Sequence, residues 1–80
     1  MFASHEQVTI LDRAVELRLP ETWVYPDVLV YAVAGGDRHL VGQWSGRPVE
    51  RFPLPDGVTA VELFSLGHQR TIRRFEKATR

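Results

Sequence analysis

Eighty residues without a cysteine leave room for one domain and exclude disulfides and thiolate metal sites as sources of its stability. An apolar fraction of 44% beside a charged fraction of 25% belongs to a folded globular chain and excludes a disordered one. Ten basic and ten acidic residues cancel, so electrostatic steering and protection against self-association are both weak.

The chain opens Met1-Phe2-Ala3-Ser4-His5-Glu6, with neither the basic start nor the apolar run of a secretory signal. The longest apolar run, Val28 to Ala34, is too short to span a bilayer. A cytoplasmic protein without a membrane partner is therefore the expectation. Next comes Val8-Thr9-Ile10-Leu11, then Asp12-Arg13, then a segment in which Val15, Leu17 and Leu19 alternate with Glu16 and Arg18. That alternation predicts a half-buried strand. A helix from Gln7 to Leu19 competes, because Leu11, Val15 and Leu19 are spaced by four, and Pro20 ends either element. Glu21 to Asp27 reads as a connection carrying Trp23, Tyr25 and Pro26.

Val28-Leu29-Val30-Tyr31-Ala32-Val33-Ala34 is rich in β-branched and aromatic residues and predicts a strand. The cluster Gly35-Gly36-Asp37-Arg38 turns it back into His39-Leu40-Val41-Gly42-Gln43-Trp44, which makes a hairpin. With Gly36 and Asp37 at the tip, Val33 faces Leu40, Ala32 faces Val41, Tyr31 faces Gly42 and Leu29 faces Trp44. Gly42 would then leave space for the Tyr31 ring. Leu29, Tyr31, Val33, Leu40 and Trp44 share one face in this register, and Val28, Val30, Ala32 and Val41 share the other. A sheet with one wet side alternates apolar and polar residues. Two apolar faces instead imply that the hairpin is covered twice or that one face meets a partner.

Ser45-Gly46-Arg47-Pro48 is a turn, and Val49-Glu50-Arg51-Phe52 a short strand running into Pro53-Leu54-Pro55. Prolines cannot donate to a ladder, so this strand is predicted at an edge. Pro55-Asp56-Gly57 is another turn, followed by a strand from Val58 to Leu66. Gly67-His68 can return the chain into Arg70-Thr71-Ile72-Arg73-Arg74-Phe75, with Leu63 facing Ile72 and Glu62 facing Arg73. A short C-terminal helix is the competing expectation there, since Ile72, Phe75 and Ala78 are spaced like one helical face. The fold class expected is mainly β: a small antiparallel sandwich or partly open barrel of six or seven short strands in one domain.

The residues that carry chemistry are scattered. His5, His39 and His68 have no metal-ligand spacing, no two carboxylates are marked as a pair, and Ser4, Ser45 and Ser65 lack a nucleophile elbow. Gly35-Gly36 is not followed by the Lys-Ser/Thr of a phosphate loop. The expectation is a non-enzymatic protein without cofactor or metal. Two binding signals remain. Trp23, Tyr25, Tyr31 and Trp44 can line a platform, although Tyr31 and Trp44 suit the core equally well. Residues 67–80 carry Arg70, Arg73, Arg74, Lys77 and Arg80 against Glu76 alone, a basic segment suited to phosphate or to an acidic surface. The residues before it are acidic on balance and would repel nucleic acid.

The function expected is binding to another protein or to a second copy, as in an accessory or regulatory protein, phage-encoded ones included. Carbohydrate binding through exposed Trp and Tyr is the first alternative, and nucleic-acid binding through the basic C-terminal segment the second. Trp23 ahead of the Val- and Tyr-rich strand, then Trp44-Ser45-Gly46, then Leu54-Pro55-Asp56-Gly57-Val58-Thr59, resembles starch-binding β-sandwich modules over residues 23–71. That resemblance implies a carbohydrate ligand.

Overall fold

A computed structural model describes residues 7–19 and 27–77. Seven strands run in chain order: β1 (Gln7–Ile10), β2 (Ala14–Arg18), β3 (Val28–Ala34), β4 (Asp37–Gln43), β5 (Val49–Pro53), β6 (Val58–Ser65) and β7 (Arg70–Glu76). They form two antiparallel sheets, ordered β1-β2-β5 and β4-β3-β6-β7, packed as an open sandwich. There is no helix among the described residues.

Residues 7–18 are a hairpin and not the competing helix. Ile10 pairs with Val15 across a turn closed by the Leu11 N–H donating to the Ala14 carbonyl at 2.7 Å. Alternation decides the outcome: Val15 and Leu17 are fully buried, whereas Glu16 and Arg18 reach the surface. A helix would have scattered these residues around its axis. The short C-terminal helix is likewise replaced by β7. Phe75 pairs with Val61 and Arg74 with Glu62, and seven residues of ladder outweigh one helical turn's apolar spacing. Ala78 lies outside the described residues.

The core lies between the sheets. The three-stranded sheet contributes Val15, Leu17 and Phe52, and the four-stranded sheet Val28, Val30, Ala32, Val61 and Leu63. Leu19 and Leu54 seal the ends of β2 and β5, fixed by main-chain bonds from Leu19 to Pro48 and from Leu54 to Arg13. β5 is an edge strand, as its prolines require, with Pro53 opposite Ala14.

The central hairpin forms in a register different from the one the sequence suggests. Its tip is Gly35-Gly36, both at positive φ (62° and 84°), the conformation a two-residue turn needs to follow the strand twist. Tyr31 therefore faces Leu40, and Val33 faces Arg38. The shift from the expected pairing is two residues, which preserves faces, so Tyr31 and Leu40 stay on one side. An irregularity at Val41 then adds one residue to β4, and a shift of one reverses faces. Trp44 consequently pairs with Val28 and packs on the core, away from the face of Leu29. The ring that Gly42 accommodates is that of Phe52, from the opposite sheet, and not that of Tyr31.

Candidate functional site

The inner face of the four-stranded sheet is sealed by β1, β2 and β5. Among the described residues no element packs on its outer face. Leu29, Tyr31 and Val33 of β3, and Phe64 of β6, are only half-buried there. Leu40 of β4 is 58% exposed, more than any other large apolar side chain among the described residues. These residues share a face by register: Tyr31 sits between Leu40 and Glu62, and Leu29 pairs with Phe64. Tyr31 and Phe64 meet edge to face, with ring centroids 6.1 Å apart and planes at 85°.

Charged groups overlie this strip. The Arg38 guanidinium lies 4.6 Å from the Tyr31 ring centre and 6.0 Å from that of Phe64. Glu62 accepts from Arg38 at 3.3 Å through one carboxylate oxygen and from Arg74 at 2.6 Å through the other. Arg74 also donates to Glu76 at 2.6 Å. The guanidinium of Arg74 is held above its ordinary pKa by the hydrogen bond to Glu76 first, then by that to Glu62. Glu62 is the shielded member, its side chain 12% exposed against 46% for each arginine. The outer face thus has an apolar, aromatic centre and a rim of paired charges, the arrangement of many protein interfaces.

Among the residues singled out from the sequence, Tyr31 and Arg74 come together here. Trp44 does not: its ring packs on the core and its indole N–H donates to the Arg47 carbonyl at 2.8 Å. This contact braces the crossing from β4 to β5, as do the Ser45 N–H and hydroxyl donated to the Glu50 carboxylate at 2.8 and 3.0 Å. Trp23 and Tyr25 lie outside the described residues. Arg70 pairs with Ser65 at the start of β7, and Arg73 with Leu63, which puts Arg73 on the side opposite Arg74. The basic segment is therefore split between two faces, with Arg74 engaged by carboxylates.

The sequence already groups Leu40 with Leu29, Tyr31 and Val33, but it does not reveal Phe64, Arg38 and Glu62 as members of the same cluster. Their positions depend on pairing across β4-β3-β6-β7, and no local motif marks them.

Other constellations are structural. Ser65 Oγ lies 3.0 Å from His68 Nδ1 and accepts from the His68 N–H at 3.2 Å. Ser65 is fully buried, so its hydroxyl cannot meet a substrate; it ties off the loop between β6 and β7. A groove of about 490 Å³ runs between β1 and β7, lined by Val8, Thr9, Ile10, Arg74, Phe75 and Glu76. Its carboxylate is engaged by Arg74, and among the described residues no second acid lines it. Among the described residues no group of three His, Asp or Glu side chains could hold a metal ion, and no helix is long and apolar enough to cross a membrane.

No family model, no curated protein and no solved structure matches the chain, so the resemblance to starch-binding modules rests on its own residues alone.

Proposed function

We propose that this chain is a non-catalytic protein-binding module whose contact surface is the outer face of the four-stranded sheet. One observation carries the reading: Leu29, Tyr31, Val33, Phe64 and Leu40 form an apolar strip that the chain's own second sheet leaves open, framed by Arg38, Glu62 and Arg74. Apolar area of this kind gains free energy when another surface covers it. Tyrosine at its centre and arginine at its rim are among the residue types that dominate binding energy in protein interfaces. An accessory or regulatory role on a larger assembly is consistent with a small domain that binds through this surface.

The rival readings have less support. A sugar platform needs aromatic faces open to solvent, and Trp44 packs on the core while Arg38 lies over Tyr31. Phosphate binding needs convergent, unneutralised cations, and Arg74 already holds two carboxylates.

A capture comparison tests the reading. The wild type, a Val33→Thr/Leu40→Thr variant and an Arg51→Thr control on the other sheet serve as baits, with a differently tagged second copy of the chain among the prey. Both threonine changes keep residues suited to strands. Proteins held by the wild type should be lost to the face variant and retained by the control. Equal capture by all three baits would remove the outer face as the binding surface.

A further inference from the structure

We infer that the chain also pairs with a second copy of itself through the outer edge of β4, so that the two four-stranded sheets become one continuous sheet. The contact lies beside the outer-face surface, sharing Arg38 and Leu40 with it, and leaves the centre of that face open to a further partner.

A sheet edge presents unpaired N–H and C=O groups, and folded proteins normally guard it. Three of the four edges here are guarded. β1 is four residues long. β5 ends on Pro53, with Pro48 ahead of it. β7 carries Arg70, Arg73, Arg74 and Glu76 among its seven residues. On β4 no described strand pairs with the outer side, and residues 37–40 are all exposed. This stretch is charged at Asp37 and Arg38, but it holds no proline or lysine, the Arg38 guanidinium is drawn back over Tyr31 and onto Glu62, and Leu40 is exposed.

The hydrogen-bond phase of β4 follows from its turn. The two-residue tip makes Ala34 and Asp37 a hydrogen-bonded pair, so Ala32 and His39 are the next. The main-chain groups of the alternate residues, Arg38 and Leu40, then point away from β3, on the side where no described strand pairs. Between the turn and the irregularity at Val41, they are the groups the edge offers. An antiparallel copy centred on His39 places Arg38 of each chain opposite Leu40 of the other, and each such pair exchanges both of its main-chain bonds. The edge is therefore complementary to itself without rearrangement. On the outer face, the aliphatic stem of each Arg38 covers Leu40 of the second copy. Paired signs on that face (Arg38 and Arg74 with Glu62 and Glu76) and a net charge of zero leave little repulsion between copies.

The absence of cysteine from the wild type gives a direct test. At the two-fold axis the His39 residues form a non-hydrogen-bonded pair, with Cα atoms about 4.5 Å apart, within disulfide reach. A His39→Cys variant should cross-link to a covalent dimer under mild oxidation, and an Arg51→Cys variant on β5 of the other sheet should not. Sedimentation of the wild type should give twice the 9.1 kDa of one chain. Leu40→Pro, which removes a donor the β3–β4 ladder does not use, should weaken association at least tenfold with the strand spectrum retained. A wild type that sediments as a monomer at every concentration overturns the inference, and so does a dimer in which His39→Cys fails to cross-link or does so no better than Arg51→Cys. A monomer does not decide the outer-face reading, which stands or falls on the capture comparison.

Discussion

A β-carbon added at position 42 would overlap the Phe52 ring, which crosses from the opposite sheet to lie on the backbone of β4. The ring is core, 8% exposed, and packed among the other residues of the cluster. Gly42→Ala should therefore destabilise the domain by about 1–3 kcal/mol, the usual cost of overpacking. Urea unfolding measures this, and adding Phe52→Leu should return part of the loss. If the two changes are instead simply additive, the contact is not what makes position 42 a glycine. The sequence makes this glycine visible as a gap among large residues. It does not reveal which ring fills the gap, because Phe52 is brought there by a pairing between sheets and not by its neighbours in the chain. Ser65 is similar. Nothing around it in sequence marks it, yet it is the buried hydroxyl that receives the His68 N–H and fixes the last hairpin.

At the scale of elements, what was legible follows from what local residues control. Alternation in Val15-Glu16-Leu17-Arg18 and the β-branched run of β3 locate their strands, and the prolines around β5 place it at an edge. Register is less local. In the second hairpin the pairing nearest the turn, Ser65 with Arg70 and Phe64 with Thr71, agrees with the sequence expectation, but an extra residue at Ile72 moves Leu63 onto Arg73 and Glu62 onto Arg74. That one-residue slip puts Arg74, and not Arg73, beside Glu62, and so decides which arginine belongs to the outer face. The central hairpin depends on its tip in the same way. Gly36 has φ of 84°, a conformation that costs a β-branched residue heavily. Gly36→Val should lower stability by about 1 kcal/mol or more. No atom lies near enough to position 36 to clash with an added β-carbon, so the loss reports backbone conformation alone. A melting temperature equal to that of the wild type would place the turn elsewhere.

On the scale of the whole molecule, size and surface argue together. A chain of 80 residues buries a modest share of its surface on folding, and this one has no disulfide to reinforce it. Its inner core is well sealed, with Val15, Leu17, Val28, Val30, Val61 and Leu63 all fully buried. Leu11, Val49 and Leu66 are exposed singly, and the apolar area that is contiguous lies on the outer face and ends at Leu40 on the β4 edge. Covering that area stabilises the folded form and not the unfolded one, and a partner that binds only the folded form raises the melting temperature by mass action. For association between copies, the partner concentration is the protein's own concentration. The melting temperature of the wild type should therefore climb as the protein is concentrated a hundredfold, by an amount equivalent to roughly 1–3 kcal/mol per chain. Leu40→Thr should flatten the dependence while leaving the dilute-limit melting temperature close to that of the wild type, because Leu40 is 58% exposed in the single chain and contributes little to its core. Salt separates the two components of the contact. An association held by Leu40 and the strand edge should persist in high salt, whereas one held by Arg38, Glu62 and Arg74 should fade as those charges are screened. A melting temperature independent of concentration, in low and high salt alike, would mean that the single chain is the complete folding unit and that its open face is reserved for a different protein.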